Sequence, residues 1–503
     1  MMDVDMEDST QPQTQYAISQ GSSNNRRYSP NYVVVDDAHP FDLDSYISNY
    51  AGRTAIERLI RIVSVCPSLA VDAFGLAVQY IHQSRDPSQY QTLCHAYEVV
   101  SSYPGVSGQL PSISELPTLD TRWVDEVTKK NQQEKMKLES ELKTYSNNMI
   151  KESIRMGHRD LAEFYRAIGD YPAALKHWTK SREFCTTGQH VLDGCISILE
   201  LLIEQRNYAH LPTYIFKAES ALEGAAAAYQ SAKDKESAAT GTATSRKTTA
   251  LLPDIDVLRS KLDFANGLSQ LYATNYERAA YYFLRLNGGT AQGGGLGDWF
   301  GKLVSPGDIA IFGSVCALAS LSRSAFKAQV LENLSFSTYI EQESHVREMI
   351  EAYMASNFKA VLEALNKYHT RHMIDIHLSQ HIAALHNLTR SRLVTLYFTP
   401  FSNIKLDRMA LAFGWSVEET EEYVVSLIRS GDIKGRVDSR EKVLQVRKVD
   451  LRAELFAKAV KTGLEMQKTN KKLLYRMKLQ QADLVVKPPP RANTGGQGDF
   501  VEQ

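Results

Sequence analysis

Apolar residues along this chain recur mainly at three- and four-residue steps. Between Thr54 and Val65, Ile56, Leu59, Ile60 and Val63 share one helical face, and Pro67 closes the run. Further helical stretches end at Tyr80–Ile81 and at Tyr97–Val100. The uncharged run from Ile309 to Ser322, bounded by Asp308 and Arg323, falls short of the ~20 residues of a membrane span and predicts a buried core helix. Alternating β-branched runs are nearly absent before residue 430. Four stretches break the pattern and are expected to be loose: the polar N-terminus (1–40), 231–252, the Gly-rich 287–301, and a Pro/Gly-rich tail (487–503).

One short phrase returns. Gly169-Asp170-Tyr171 is followed by Arg206-Asn207-Tyr208, Thr274-Asn275-Tyr276 and Ser356-Asn357-Phe358. The steps are 37, 68 and 82 residues, the first near one tetratricopeptide period of ~34 and the second near two. The polar residue and aromatic predict a tight turn between paired helices, with a small residue behind them for close packing. A helical-repeat array over 41–305 is expected.

Residues 373–446 carry a different pattern. A helix is expected from about Ile374 to Phe398, with Leu378, Ile382, Leu385 and Leu388 on one face and Pro400 ending it. A short helix from Ile404 to Phe413 follows, then a turn at Gly414-Trp415. Ser416 and Glu419 form a capping-box pattern opening a helix that stops at Gly431. Ile433–Val437 and Val443–Val446 read as two strands. Helix-turn-helix followed by a hairpin is a winged helix, expected over about 400–446.

This segment resembles a PCI domain, a module of the proteasome lid, the COP-9 signalosome and translation initiation factor three. The matching points include Arg392, Tyr397-Phe398, Pro400, Met409-Ala410, Phe413, Leu427-Ile428, Gly431, Ile433 and Arg436-Val437-Asp438. The stretch opening at Asp308 resembles the start of that domain, placing it over 306–446. The phrase from Tyr50 to Leu59, with Cys66-Pro67, is more similar to a signalosome member than to its proteasome-lid paralogue. The expected fold is mostly α: a tetratricopeptide-like solenoid, a PCI winged-helix module, and a C-terminal helix over 447–486.

The resemblance implies a non-catalytic subunit of the complex that removes a ubiquitin-like modifier from cullins. Its partners would be other PCI subunits, with the complex's metalloprotease subunits and cullin-RING ligases as further candidates. It also implies a cytoplasmic and nuclear location and no cofactor. Such subunits would pair winged helices edge to edge, and Arg436, Val437, Asp438, Val443, Leu444 and Val446 are the candidate edge. For Arg436 and Asp438 the alternative is a local pair that stabilises the turn. Their C-terminal helices would gather into a bundle, with Met466, Leu473, Met477 and Leu484 as the candidate seam. A proteasome-lid subunit is the nearest alternative, and a nucleic-acid-binding winged helix a more distant one.

Charge and chemistry narrow the alternatives. Lys and Arg total 57 against 58 Asp and Glu, so no overall field attracts nucleic acid or an anionic membrane. Glu418, Glu419, Glu421 and Glu422 would repel phosphates where a recognition helix meets DNA. The helix after residue 447 is basic, which suits either a solvated face or contact with an acidic partner or phosphate. The N-terminus lacks the basic and apolar regions of a secretory signal. Five scattered cysteines without a C-x-x-C favour a reducing compartment. His377 and His381 are four apart on an expected helix, but no H-E-x-x-H accompanies them, so helix packing is favoured over metal binding. None of the thirteen histidines lies two from another, as the H-x-H pair of the metalloprotease would require. Gly293–Gly297 lacks the G-K-[ST] of a phosphate loop, and adjacent Cys94 and His95 diverge on a helix. No enzyme is expected.

Overall fold

The four recurring phrases fold into four copies of one turn. The computed structural model describes residues 33, 35, 36, 39–103, 110–224, 251–288, 295–446 and 451–484. In each copy the residue before the Asp or Asn adopts the left-handed conformation: Gly169 (φ 91°), Arg206 (59°), Thr274 (61°) and Ser356 (62°). The next N–H donates back to the carbonyl five residues earlier, at 2.9 Å in all four copies: Asp170 to Tyr165, Asn207 to Leu202, Asn275 to Gln270, Asn357 to Ala352. This double-bonded helix end satisfies carbonyls that would otherwise lack donors. The Asp or Asn then opens the next helix, and Asp170 and Asn357 accept from the N–H groups of Ala173 (3.1 Å) and Ala360 (3.3 Å).

Each turn joins a helix pair: Lys151–Ile168 with Tyr171–Glu183, Gly188–Glu204 with 211–224, Leu251–Tyr272 with Tyr276–Leu284, and Ser344–Met354 with Phe358–Lys367. Ala174, Ala279 and Ala280 behind the turns are fully buried, so the helices approach closely there. Ahead of the pairs lie helices Gly52–Val65, Ala70–Gln83 and Ser88–Ser101, which share a core with Ile374. Pro306–Ser320 is buried from Gly307 to Ala319, as its uncharged run predicts.

The chain divides into two units, residues 1–394 with 412–414 and residues 395–411 with 415–503. In the second, the strands β1 (Asn403–Lys405), β2 (Gly435–Asp438) and β3 (Val443–Val446) form an antiparallel sheet in the order β1-β3-β2. Helices Leu406–Phe413 and Val417–Ser430 complete a winged helix, and Leu451–Gln481 follows.

Several expectations need correction. The helix expected over 374–398 is two helices, His369–Ile374 and Ile382–Phe398, because Asp375 turns the backbone and accepts N–H bonds from His377 and Leu378, both 2.8 Å. Leu378, Ile382 and Leu385 are buried, whereas Leu388 is 44% exposed. Ile404 and Lys405 belong to β1 rather than to the helix, and β2 starts at Gly435 rather than Ile433. Residues 295–301 of the Gly-rich stretch are packed, since Leu296 and Trp299 are fully buried. Leu251 and Leu252, expected to be loose, open a helix. Within the N-terminal stretch expected to be loose (1–40), the Val33 N–H donates to the Val65 carbonyl at 2.8 Å and Val33 and Val35 pack on the core, whereas 1–32, 231–250, 289–294 and 487–503 lie outside the described residues.

Candidate assembly surfaces and the ionic knot behind them

The winged helix is built by local rules. Ser416 accepts from the Glu419 N–H while Glu419 accepts from the Ser416 N–H, each at 3.2 Å, closing the expected capping box. Gly431 (φ 88°) ends that helix in the left-handed conformation that glycine adopts without a Cβ penalty. Of the four carboxylates on the helix, Glu419 is thus a cap. Glu421 pairs with Lys442 and accepts from Ser439 at 2.5 Å; these contacts hold its carboxyl below the usual range.

The sheet order corrects the candidate edge. β3 is the central strand: Leu444 lies opposite Ile404 on one side and Val437 on the other, and its side chain is fully buried. Val443, Leu444 and Val446 therefore have no open backbone edge to offer. The free edges among the described residues are β1 and β2, so Arg436, Val437 and Asp438 remain edge residues. Arg436 reaches Gln445 Oε1 (2.9 and 3.1 Å), and Asp438 accepts from the N–H groups of Arg440 (3.0 Å) and Glu441 (3.3 Å). Asp438 thus stabilises the turn alone, without pairing to Arg436.

Leu451–Gln481 runs 31 residues, about 46 Å of helix. Met466 (65%), Leu473 (50%) and Met477 (68%) are exposed, as are Leu455, Phe456 and Leu474. At ~100° per residue all six fall on one side. Leu484 is also exposed but lies beyond the helix end, past Asp483 (φ 54°). Ordinary surface helices do not present such a stripe to water over their whole length.

Sequence reading missed the most buried polar site. Arg58 is fully buried and spans two carboxylates, with Nη2 2.9 Å from Asp308 and Nη1 3.0 Å from Asp375. Its Nη1 also donates to the Tyr46 hydroxyl at 2.5 Å, and its guanidinium lies 4.0 Å over the Tyr50 ring. Arg371 reaches the other oxygen of Asp308 (2.8 Å) and Glu343 (3.3 Å). Tyr50 donates to Asp308 at 2.5 Å. Burial pushes the Asp308 carboxyl up, but Arg58, Arg371 and the Tyr50 hydroxyl outweigh it and hold the carboxyl well below the carboxylate range. The phrase from Tyr50 to Leu59 and the stretch opening at Asp308, both bearers of the resemblance, are two sides of this knot. One signal pointed to it: Ala55, Arg58, Leu59 and Ile62 fall at core spacing, so the arginine occupies a buried position.

The histidines are packing elements. Tyr208 and Tyr276, the aromatics of two turns, meet His377 (2.6 Å) and His381 (3.5 Å). Burial pushes His377 down to about 4. A separate cluster gathers three helices: His345 stacks on Tyr368 (4.3 Å), and His372 lies 5.8 Å from His345 and 6.1 Å from His386 between ring centres. Both His372 nitrogens are buried without a hydrogen-bond partner. Burial, with neighbouring imidazoles, pushes His372 well below its ordinary value and His386 down to about 4. Among the described residues, no group of three or more His, Cys, Asp or Glu is arranged to hold a metal ion, and no helix is long and apolar enough to cross a membrane.

Comparison with known proteins bears on both units. Residues 120–329 match the family described as 26S proteasome subunit RPN7, and residues 365–448 match the PCI domain. The COP9 signalosome complex subunit 1 of Arabidopsis thaliana is 31% identical over 448 residues, covering 88% of this chain and 91% of that protein. The Emericella nidulans subunit 1 is 32% identical over 469 residues, covering 91% and 85%. Subunit 1b of Drosophila melanogaster is 29% identical over 530 residues, covering 98% and 95%. By contrast, the rice 26S proteasome non-ATPase regulatory subunit 6 is 21% identical over 206 residues, 41% of this chain. With signalosome relatives matched almost end to end and the proteasome paralogue over less than half, this chain belongs to the COP9 signalosome complex subunit 1 family.

Proposed function

We infer that this chain is a non-catalytic architectural subunit of a COP9 signalosome, the assembly that removes a ubiquitin-like modifier from cullins. The observation that carries this reading is the C-terminal helix: six large apolar side chains face solvent on one side, which a partner helix bundle would bury. The free edge at Arg436–Asp438 supplies a second connector, able to extend a sheet into a neighbouring PCI subunit. The absence of any His two residues from another supports a division of labour in which a different subunit carries the metalloprotease. Cullin-RING ligases are then partners of the complex, and cytoplasm and nucleus are where it would act. The test is affinity purification of the complex from cells in which residues 447–503 are deleted. The truncated chain is expected to drop out of the complex; its full incorporation would contradict the bundle anchor.

A further inference from the structure

The apolar stripe of Leu451–Gln481 accounts for only one of its faces. From Lys458 to Lys478 the helix carries Lys458, Lys461, Lys468, Lys471, Lys472, Arg476 and Lys478 against the single carboxylate Glu465. At ~100° per residue, Lys461, Lys468, Lys472 and Arg476 fall within about 80° of one another, on a strip roughly 120° round the helix from Leu455, Met466, Leu473 and Met477 and beside exposed Leu464 and Tyr475. Among the described residues, none of these seven cations makes an ion pair, although the chain as a whole has a net charge of −1.

The molecule contains its own control. Thr121–Asn147, the other long helix without a buried residue, spans 27 residues and balances six basic side chains with five acidic ones. Two of its six cations are paired along the helix, Lys130 with Glu126 (3.6 Å) and Lys135 with Glu139 (4.0 Å), Glu134 is met by Arg85 at 2.8 Å, and the remaining charges of both signs nearly balance. A face that only needs solvation is built that way here. The C-terminal strip leaves its charge unanswered along about 30 Å of helix.

We propose that the Lys461–Lys468–Lys472–Arg476 face is a docking strip for an acidic polypeptide segment, carboxylate-rich and extended or helical, engaged while the apolar stripe is covered by other chains. Charge complementarity names the occupant. Nucleic acid fits less well, because the winged helix between Asn403 and Val446 carries eight carboxylates against seven basic residues and offers no basic field to guide a long polyanion. Six of the seven basic residues from Lys458 to Lys478 are lysines, point charges suited to many loosely placed carboxylates rather than to bidentate base readout.

The test uses the purified full chain and two labelled probes of equal length, an oligoglutamate peptide and a single-stranded oligouridylate, titrated by fluorescence anisotropy at low and physiological salt. Oligoglutamate is expected to bind, to loosen with salt, and to weaken roughly tenfold or more in a Lys461→Gln, Lys468→Gln, Lys472→Gln triple variant. The matching Lys→Arg variant is expected to bind as the parent does. Equal binding by parent and Gln variant overturns the proposal, and so does tighter binding of oligouridylate than of oligoglutamate. Incorporation into the purified complex is read in parallel. The Gln variant is expected to assemble normally, whereas Leu473→Ser with Met477→Ser is expected to lose assembly and keep the peptide. A Gln variant that fails to assemble would place the basic face inside the bundle and also overturn the strip.

Discussion

Replacing Arg58 with methionine tests whether the ionic knot holds the first unit together. The substitution keeps an unbranched side chain in the buried slot but withdraws the cation that Asp375 shares with Asp308. Arg371 still neutralises Asp308, so the uncompensated charge falls on Asp375, which is 1% exposed. Breaking a buried pair from one side costs about 3–5 kcal/mol. With an unfolding entropy of about 2.1 cal/mol/K per residue over the ~400 residues of the unit, that is a fall in Tm of about 4–6 °C. Arg58→Lys should fall between, because one ammonium cannot span two carboxylates lying on separate arms of the guanidinium. Differential scanning calorimetry of the three purified chains is the assay. An Arg58→Met chain melting within about 1 °C of the parent would refute the reasoning.

Gly169→Ala should destabilise the first repeat turn by about 1–2 kcal/mol or more, since a Cβ there would sit 2.5 Å from Asp86 Oδ2 as well as in a left-handed backbone; chemical denaturation reads it. Thr274→Gly and Ser356→Gly should each be neutral to stabilising by up to about 1 kcal/mol, because those turns hold the same conformation with a Cβ present; a loss of stability in both would contradict the turn assignment. The lowered His372, His377 and His386 favour neutral imidazole in the folded state, so their contribution is complete above pH ~6.5 and is lost as pH falls toward about 4. Thermal melts should therefore drop steadily through that window, before most carboxylates titrate. His372→Phe, which removes two buried nitrogens without partners, should flatten the drop.

Much of this architecture was legible because its determinants are local. The turn phrases carry the whole instruction for a helix end and a helix start within a few residues, and Ser416 with Glu419 does the same for the wing. What stayed hidden depends on distant partners. β1 is three residues with one buried side chain, Ile404, and becomes a strand only by pairing with β3 forty residues on. That pairing also moved β3 from edge to centre, a fact no property of Val443–Val446 encodes. The break at Asp375 looks like helix until Arg58 draws the carboxylate inward. The turns likewise differ for non-local reasons: only the first needs glycine, because only there does the Arg53–Asp86 pair occupy the space a side chain would take.

The knot also sets an order for biosynthesis. Arg58 leaves the ribosome 317 residues ahead of Asp375 and 250 ahead of Asp308. At about 5–20 residues per second the nascent cation waits roughly 15–60 s for its counter-charges. Until then helix Gly52–Val65 carries an apolar face with a guanidinium in its middle that lacks both carboxylates. A product terminated before Asp308 never closes the knot, and the apolar face of that helix stays uncovered.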